Sequence, residues 1–404
     1  DKNFDTGFQD IKLIPPSTII NFKDPNNFTK RNYWKLEEIR KSDLKKTFSE
    51  DDKNNLKNIL LESIGTKLLA DVPIGLFLSS GIDSTLIAAL AKKELNFDLN
   101  TFTVSFDEND ESLKANLIAK HLKLDNRIIK SNKTNFYSIK NLLSIYGFPN
   151  DNFTALSIYL MSKSVNNHIK VAITGIGADE AFYGYNKYRF IHNNTKLLKL
   201  SLYIKSFLKF MKSSNAFKDL KKINNFLHFV DFDNFNKYKF LNNRISPFLY
   251  NDIEKSEKIF NNSLSFFNQV LSFERNITMP ISYILANDLG SMKASIETRS
   301  PFLSKKIFEF TNQFSKNLFY DIGNKSPLRD LLKKYIPLNL IDKQKKGFNV
   351  PISNFQINDL SLINKLNEYC DNANKIKLSN FSVKDKNKLS VRLKLIEEIK
   401  LLYG

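Results

Sequence analysis

The sequence predicts an α/β protein built on a doubly wound parallel sheet, with a large helical part toward the C-terminus. Short apolar runs of the kind buried on both faces of parallel strands recur between residues 74 and 174. Helical spacing follows the first of them directly, with Ile82, Leu86 and Leu90 on one face. Beyond residue 188 the pattern changes, and the Lys-, Leu- and Phe-rich stretches 196–211 and 385–402 read as amphipathic helices.

Taken in order, residues 1–36 carry strand-like material: Ile11–Lys12–Leu13–Ile14 before Pro15–Pro16, then Thr18–Ile19–Ile20–Asn21–Phe22, ending near Tyr33–Trp34. Two strands bury too little to stand alone, so this piece reads as the closing edge of another domain. A polar stretch, 35–55, reads as linker running into a helix. The first buried strand covers 74–78, and the second, 101–106, alternates Phe102, Val104 and Phe106. A helix over 111–122, a strand around Arg127–Ile128–Ile129, a helix over 155–165 and a strand over 169–174 complete the alternation.

Composition excludes several classes. No apolar run approaches the roughly 20 residues of a spanning helix, so no membrane partner is expected. No basic-then-apolar leader follows Asp1, and Cys370 is the single cysteine, which excludes an internal disulfide framework and suits a cytoplasmic protein. His121, His168, His192 and His228 lack metal-box spacing. The net charge of +19 is spread along the whole chain, which reads as compositional bias and disfavours a nucleic-acid partner.

The most informative segment is Leu78–Ser79–Ser80–Gly81–Ile82–Asp83–Ser84, between a buried strand and a helix. A glycine-bearing turn at a helix N-terminus offers backbone N–H groups to an anion, and the serines add donors. Asp83 inside such a loop would repel phosphate unless a cation such as Mg²⁺ sat between them. A plain strand-to-helix turn with Asp83 and Ser84 as caps would look similar. A second constellation, Thr174–Gly175–Ile176–Gly177–Ala178–Asp179–Glu180, follows another strand and pairs close backbone with two acids. No Walker loop occurs.

The first loop resembles the S-G-G-x-D-S signature of the ATP pyrophosphatase superfamily. With Asp71–Val72–Pro73–Ile74–Gly75 before it and T-G-I-G-A-D-E-A-F-Y-G-Y after it, the chain resembles the synthetase domain of the glutamine-hydrolysing asparagine synthetase family. Three further blocks agree: Ser291–Met292 with Glu297–Thr298–Arg299–Ser300–Pro301–Phe302–Leu303; Pro327–Leu328–Arg329; and Lys343–Gln344–Lys345–Lys346–Gly347–Phe348. The likeness runs from about residue 10 to residue 355.

The resemblance implies a sheet of the ATP pyrophosphatase (adenine nucleotide alpha hydrolase-like) type and a synthetase domain over 37–404. Its nucleotide-binding core covers 58–187 and its helical acceptor-side part 188–404. It implies that ATP and Mg²⁺ activate a small carboxylate as its adenylate, which ammonia converts to an amide. By the same likeness Ser79, Ser80, Gly81 and Ser84 cradle pyrophosphate, Asp83 and Asp179 hold Mg²⁺, and Leu78, Val104 and Gly175 line the adenosine site. Lys345 becomes the candidate transition-state cation, with Glu180 a second catalytic candidate. Ile176, Tyr185, Glu297 and Arg299 belong to the acceptor pocket, Glu297 and Arg299 reading better as a structural ion pair.

The chain departs from the pattern mildly at Ser80, more consequentially at Ile176, and to a lesser degree at Ser304, where the pattern has Asp. Ser80 stands where the family has Gly, adding a hydroxyl. Ile176 stands where asparagine-forming members carry an acid, which opens the acceptor to carboxylates other than aspartate, such as a sugar acid. Residues 1–36 resemble the tail of the family's glutaminase domain, without its N-terminal cysteine, so the expectation is ammonia that is free or delivered by a glutaminase domain or subunit. A homodimer is compatible with the reading. The competing functions are a tRNA-modifying ATP pyrophosphatase, supported by the charge alone, and a non-catalytic nucleotide-binding module, which Asp83 and Asp179 oppose.

Overall fold

The computed structural model describes residues 6, 8, 11–24, 27–36, 44–105, 111–130, 139–148, 150, 152–194 and 264–342. Internal contacts divide the chain into a unit of residues 1–3 and 184–278 and a larger unit of residues 4–183 and 279–404.

In the larger unit, β1 (Thr18–Asp24) and β2 (Asn27–Asn32) pair as an antiparallel hairpin. Its side chains are largely exposed, with the rings of Phe22 and Phe28 tilted against each other at 5.5 Å between centroids. Residues 11–14 form no strand; Pro15 and Pro16 follow directly and supply no N–H for a ladder. Helix α1 (Glu50–Lys67) starts at a reciprocal cap. The Ser49 hydroxyl accepts from the Asp52 amide while the Asp52 carboxylate accepts from the Ser49 amide. Glu50, Asp51 and Asp52 in its first turn favour the positive end of the helix dipole.

The expected alternation then appears close to its expected bounds: β3 (Ile74–Phe77), α2 (Ile82–Lys93), β4 (Asn100–Ser105), α3 (Glu111–Leu122) and β5 (Asn126–Lys130). Next come α4 (Ile139–Tyr146), α5 (Thr154–Val165), β6 (Val171–Ile173) and the short α6 (Ala178–Ala181). The smaller unit contributes α7 (Asn186–Asn193) and α8 (Phe266–Phe273). The larger unit resumes with α9 (Leu285–Met292), β7 (Glu297–Arg299), α10 (Lys305–Asn312) and α11 (Ser326–Leu332). The helices expected at 196–211 and 385–402 lie outside the described residues.

The main sheet has the order β5-β4-β3-β6-β7, with every pair parallel. Strand β7 adds a fifth member where the sequence showed no strand signal: Glu297–Thr298–Arg299 is short and polar. The chain winds outward from β3 through β4 to β5, then crosses back to β6 and β7. The loops leaving β3 and β6 are therefore neighbours where the order reverses, which is where open parallel sheets bind ligands. Interior strand β6 is fully buried, and Ala172 packs with Phe102, Val165, Ile169 and Ile296. No helix among the described residues is long and apolar enough to cross a membrane.

Helix α9 lies against α5 at backbone distance. A Cβ on Gly290 would sit 2.6 Å from the Ala155 carbonyl oxygen and 3.2 Å from Ile158 Cβ. At an exposed helical site Gly→Ala gains about 1 kcal/mol. Gly290→Ala should instead cost about 1–3 kcal/mol through overpacking, measured as a lower urea midpoint; an unchanged or higher midpoint would contradict this packing.

Candidate active site

The first loop leaves β3 under tight restraint. The Leu78 amide donates to the Phe102 carbonyl at 2.9 Å, and Thr103 Oγ1 donates to the Leu78 carbonyl at 3.0 Å. Gly81 caps α2 with φ −77° and ψ 156°, so it needs no left-handed backbone and contributes no capping side chain. The serines brace the turn instead. The Gly81 amide donates to Ser79 Oγ at 3.2 Å, the Ser79 amide donates to Ser84 Oγ at 3.1 Å, and the two hydroxyls lie 3.0 Å apart. The result is a fixed bend at the start of a helix, where unpaired N–H groups favour an anion. Ser80 behaves differently: it is buried, and its hydroxyl donates to Asp342 Oδ2 at 2.6 Å.

The second loop meets the first at Gly175. A Cβ there would lie 2.7 Å from Asp83 Cβ and 3.4 Å from the Ser84 nitrogen, so only glycine lets the two turns touch. Thr174 is held from β7, its amide donating to the Arg299 carbonyl at 2.9 Å and its hydroxyl meeting that of Ser300. Asp179 and Glu180, in the short α6, are both buried, and Ile176 is half-buried.

The two loops converge on Lys325, which sequence reasoning missed. Its ammonium donates to Asp83 Oδ1 and Oδ2 at 2.8 and 2.7 Å and lies 2.8 Å from Asp179 Oδ1. One amine thus bridges the carboxylates that head the two neighbouring loops. Burial alone would lower the Lys325 pKa; the charges of Asp179 and Asp83 outweigh it and hold the pKa well above the ordinary lysine value. Lys325 precedes α11 with φ 59° and ψ 41°, a left-handed turn uncommon for lysine. Arg329, one turn along α11, is lowered by burial and opposed by the charge of Asp83. No local signal separates Lys325 from the other cationic residues among the 61 lysines and arginines of the chain.

The other expected residues scatter. Val104 is half-buried near the end of β4. Arg299 donates to Glu297 at 2.7 and 3.2 Å and also to the Lys67 and Leu69 carbonyls, so the pair ties β7 to the end of α1. Tyr185 lies in the smaller unit, where its ring stacks edge-on with Tyr188 and faces the ammonium of Lys187 at 4.9 Å. Lys345 lies outside the described residues.

The donor set fits a hard divalent cation that arrives with a ligand. Two carboxylates already share one cationic position, and no group of three or more metal-binding side chains exists among the described residues. Magnesium is commonly held in this way, by one or two carboxylates plus phosphate oxygens and water.

A family model described as asparagine synthase matches residues 55–389. Asparagine synthetase (glutamine-hydrolyzing) 1 of Bacillus subtilis (strain 168) is 27% identical over 386 residues, covering 90% of this chain and 58% of that protein. Amidase chyE of Penicillium rubens is 27% identical over 202 residues, 46% of this chain and 30% of its own length. This chain therefore spans less than two thirds of these relatives. Among solved structures, a U34-tRNA thiolase from Methanococcus maripaludis aligns with 60% of this chain and 77% of its own, at 14% identity and a TM-score of 0.25, too low for an argument.

Lys325→Met removes the ammonium and leaves Asp83 and Asp179 facing each other. Stability near pH 7 should fall by about 3–5 kcal/mol, as when a buried ion pair loses one partner. In the wild type the raised lysine pKa gives a contribution that is complete below about pH 10.4 and is lost only above it. In the variant, repulsion raises a carboxylate pKa, so protonation restores stability as pH falls. Thermal melting between pH 8 and 5 should show the gap to wild type narrowing; a gap independent of pH would contradict the pairing.

Proposed function

The chain belongs to the asparagine synthase family, and from that premise we propose that it is an amide-forming ligase that activates a carboxylate with ATP. The observation that carries the reading is the meeting of Asp83 and Asp179, from separate sheet loops, at one cation position beside the N-terminus of α2.

In the proposed reaction a substrate carboxylate oxygen attacks the α-phosphorus of ATP. The bond to the bridging oxygen breaks and pyrophosphate leaves, giving an acyl-adenylate. Ammonia then attacks the acyl carbon, AMP leaves with the bonding pair, and the amide remains. Negative charge gathers on the departing pyrophosphate, and fixed donors and cations there lower the barrier. The start of α2, with Ser79, Gly81 and Ser84, is the place for that pyrophosphate. Asp83 and Asp179 would hold Mg²⁺, which when bound neutralises phosphate charge. Lys325 and Arg329 bring positive charge to the same spot, and Lys345 remains the proposed cation for the α-phosphate. Leu78, Val104 and Gly175 are assigned to the adenosine side.

Aspartate is the first acceptor to test. A second reading is favoured by Ile176, an apolar side chain that can neither ligate a cation nor take a proton: another carboxylate, such as a sugar acid, then replaces aspartate as the acceptor. Glu297 and Arg299 shape the acceptor side from behind by fixing β7 and so Ser300.

Incubation with MgATP, ammonium chloride and a panel of carboxylates including aspartate and uronic acids should release AMP and pyrophosphate in equal amounts. Asp179→Asn should slow that release by about a hundredfold or more, the scale for losing a group that stabilises transition-state charge. Release of ADP and orthophosphate, or an Asp179→Asn variant as fast as wild type, would overturn the assignment.

A further inference from the structure

Asp83 and Asp179 share one position, and Lys325 holds it with its whole donor set. An ammonium has three N–H groups, and this one faces three carboxylate oxygens: Asp83 Oδ1 at 2.8 Å, Asp83 Oδ2 at 2.7 Å and Asp179 Oδ1 at 2.8 Å. The Lys325 and Asp179 side chains are 6% and 7% exposed, whereas Asp83 is 22% exposed, so the cluster opens to solvent on the Asp83 side. A braced turn delivers the lysine. Ser326 Oγ donates to the Gly323 carbonyl at 2.8 Å and accepts from the Ile322 amide at 2.9 Å, and Arg329 Nε donates to the Asn324 carbonyl at 2.9 Å. The Lys325 carbonyl accepts from the Leu328 and Arg329 amides in the first turn of α11. With the backbone so held, the freedom that remains lies in the flexible four-carbon stem of the side chain.

Charge decides what can enter this cluster. A divalent cation seated between the acids must displace the ammonium, and alone it would leave that ammonium buried with no counter-charge, which is strongly unfavourable. A phosphate chain arriving with the cation changes the outcome, because its oxygens accept the displaced ammonium. We propose that Lys325 is a resident counter-ion that admits a divalent cation between Asp83 and Asp179 only together with a nucleotide's phosphates, its ammonium passing to those phosphates as the metal enters. Cation and nucleotide then bind cooperatively, each raising the other's affinity by the same factor. The nucleotide's part in this exchange rests on the function proposed above; the competition between ammonium and metal rests on the cluster itself.

Mn²⁺ binding reads the exchange, followed by electron paramagnetic resonance of the free ion in wild type and Lys325→Met, with and without a saturating non-hydrolysable ATP analogue. Wild type should bind Mn²⁺ alone about ten- to a hundredfold more weakly than with the analogue. Lys325→Met should bind Mn²⁺ alone more tightly than wild type by a comparable factor, and adding Asp179→Asn to that variant should abolish the gain. Mn²⁺ alone should likewise raise the thermal midpoint of Lys325→Met and leave that of wild type unmoved. Equal affinity for Mn²⁺ alone in wild type and Lys325→Met, or a tightened site that survives Asp179→Asn, would overturn the proposal. Should Lys325→Met not fold, wild type decides: Mn²⁺ bound as tightly alone as with the analogue would overturn it, and the expected gap would support it. If wild type binds no analogue even with Mn²⁺, the proposed function fails. The comparison of Mn²⁺ alone between the two proteins then still decides the competition, a tighter Lys325→Met supporting it and an equal one overturning it.

Discussion

Two carboxylates and one ammonium meet at the carboxyl edge of the sheet, and the geometry of both loops follows from that meeting. Asp83 opens α2 and Asp179 sits in α6, so each belongs to a different crossover of the chain. Side by side in a buried setting they would repel each other, and one would take up a proton. Lys325 removes that conflict, and under the proposed function it does so at the spot assigned to a nucleotide's phosphates and their metal. The buried ion triad therefore looks costly as a stabilising device but well suited to exchanging partners with an incoming charged ligand.

Sheet order makes the meeting possible. Because β3 and β6 are neighbours, loops nearly a hundred residues apart emerge together at the point where the winding reverses. Gly175 closes the remaining gap, since any side chain there would strike Asp83. Strand β7 then braces the second loop from outside through Thr174 and Ser300, and the Glu297–Arg299 pair fixes β7 to α1. Residues that touch no ligand thus decide where the acids point.

Much of this was legible from local pattern. Strands β3, β4 and β6 announce themselves as short apolar runs, and both loops carry glycine and acid next to a helix start, which is chemistry confined to a few adjacent residues. What escaped has a physical reason in each case. Strand β7 is three polar residues whose place in the sheet comes from tertiary pairing alone. Lys325 is one lysine in a lysine-rich chain, and its importance lies in a contact across 242 residues. Ser80 reads as one more donor in a serine-rich turn until its partner, 262 residues away, comes into view. Ile11 to Ile14 had the composition of a strand, but the structure gives it a single bridge, at Lys12, with Pro15–Pro16 directly after it.

The most direct measurement is a crystal structure with Mn²⁺ and a non-hydrolysable ATP analogue, using anomalous scattering to locate the metal. The account predicts a peak between Asp83 and Asp179, within about 2.1–2.3 Å of an oxygen from each and bridging to phosphate, with Lys325 turned toward the phosphates. A nucleotide bound elsewhere, or a metal held by neither carboxylate, would contradict it.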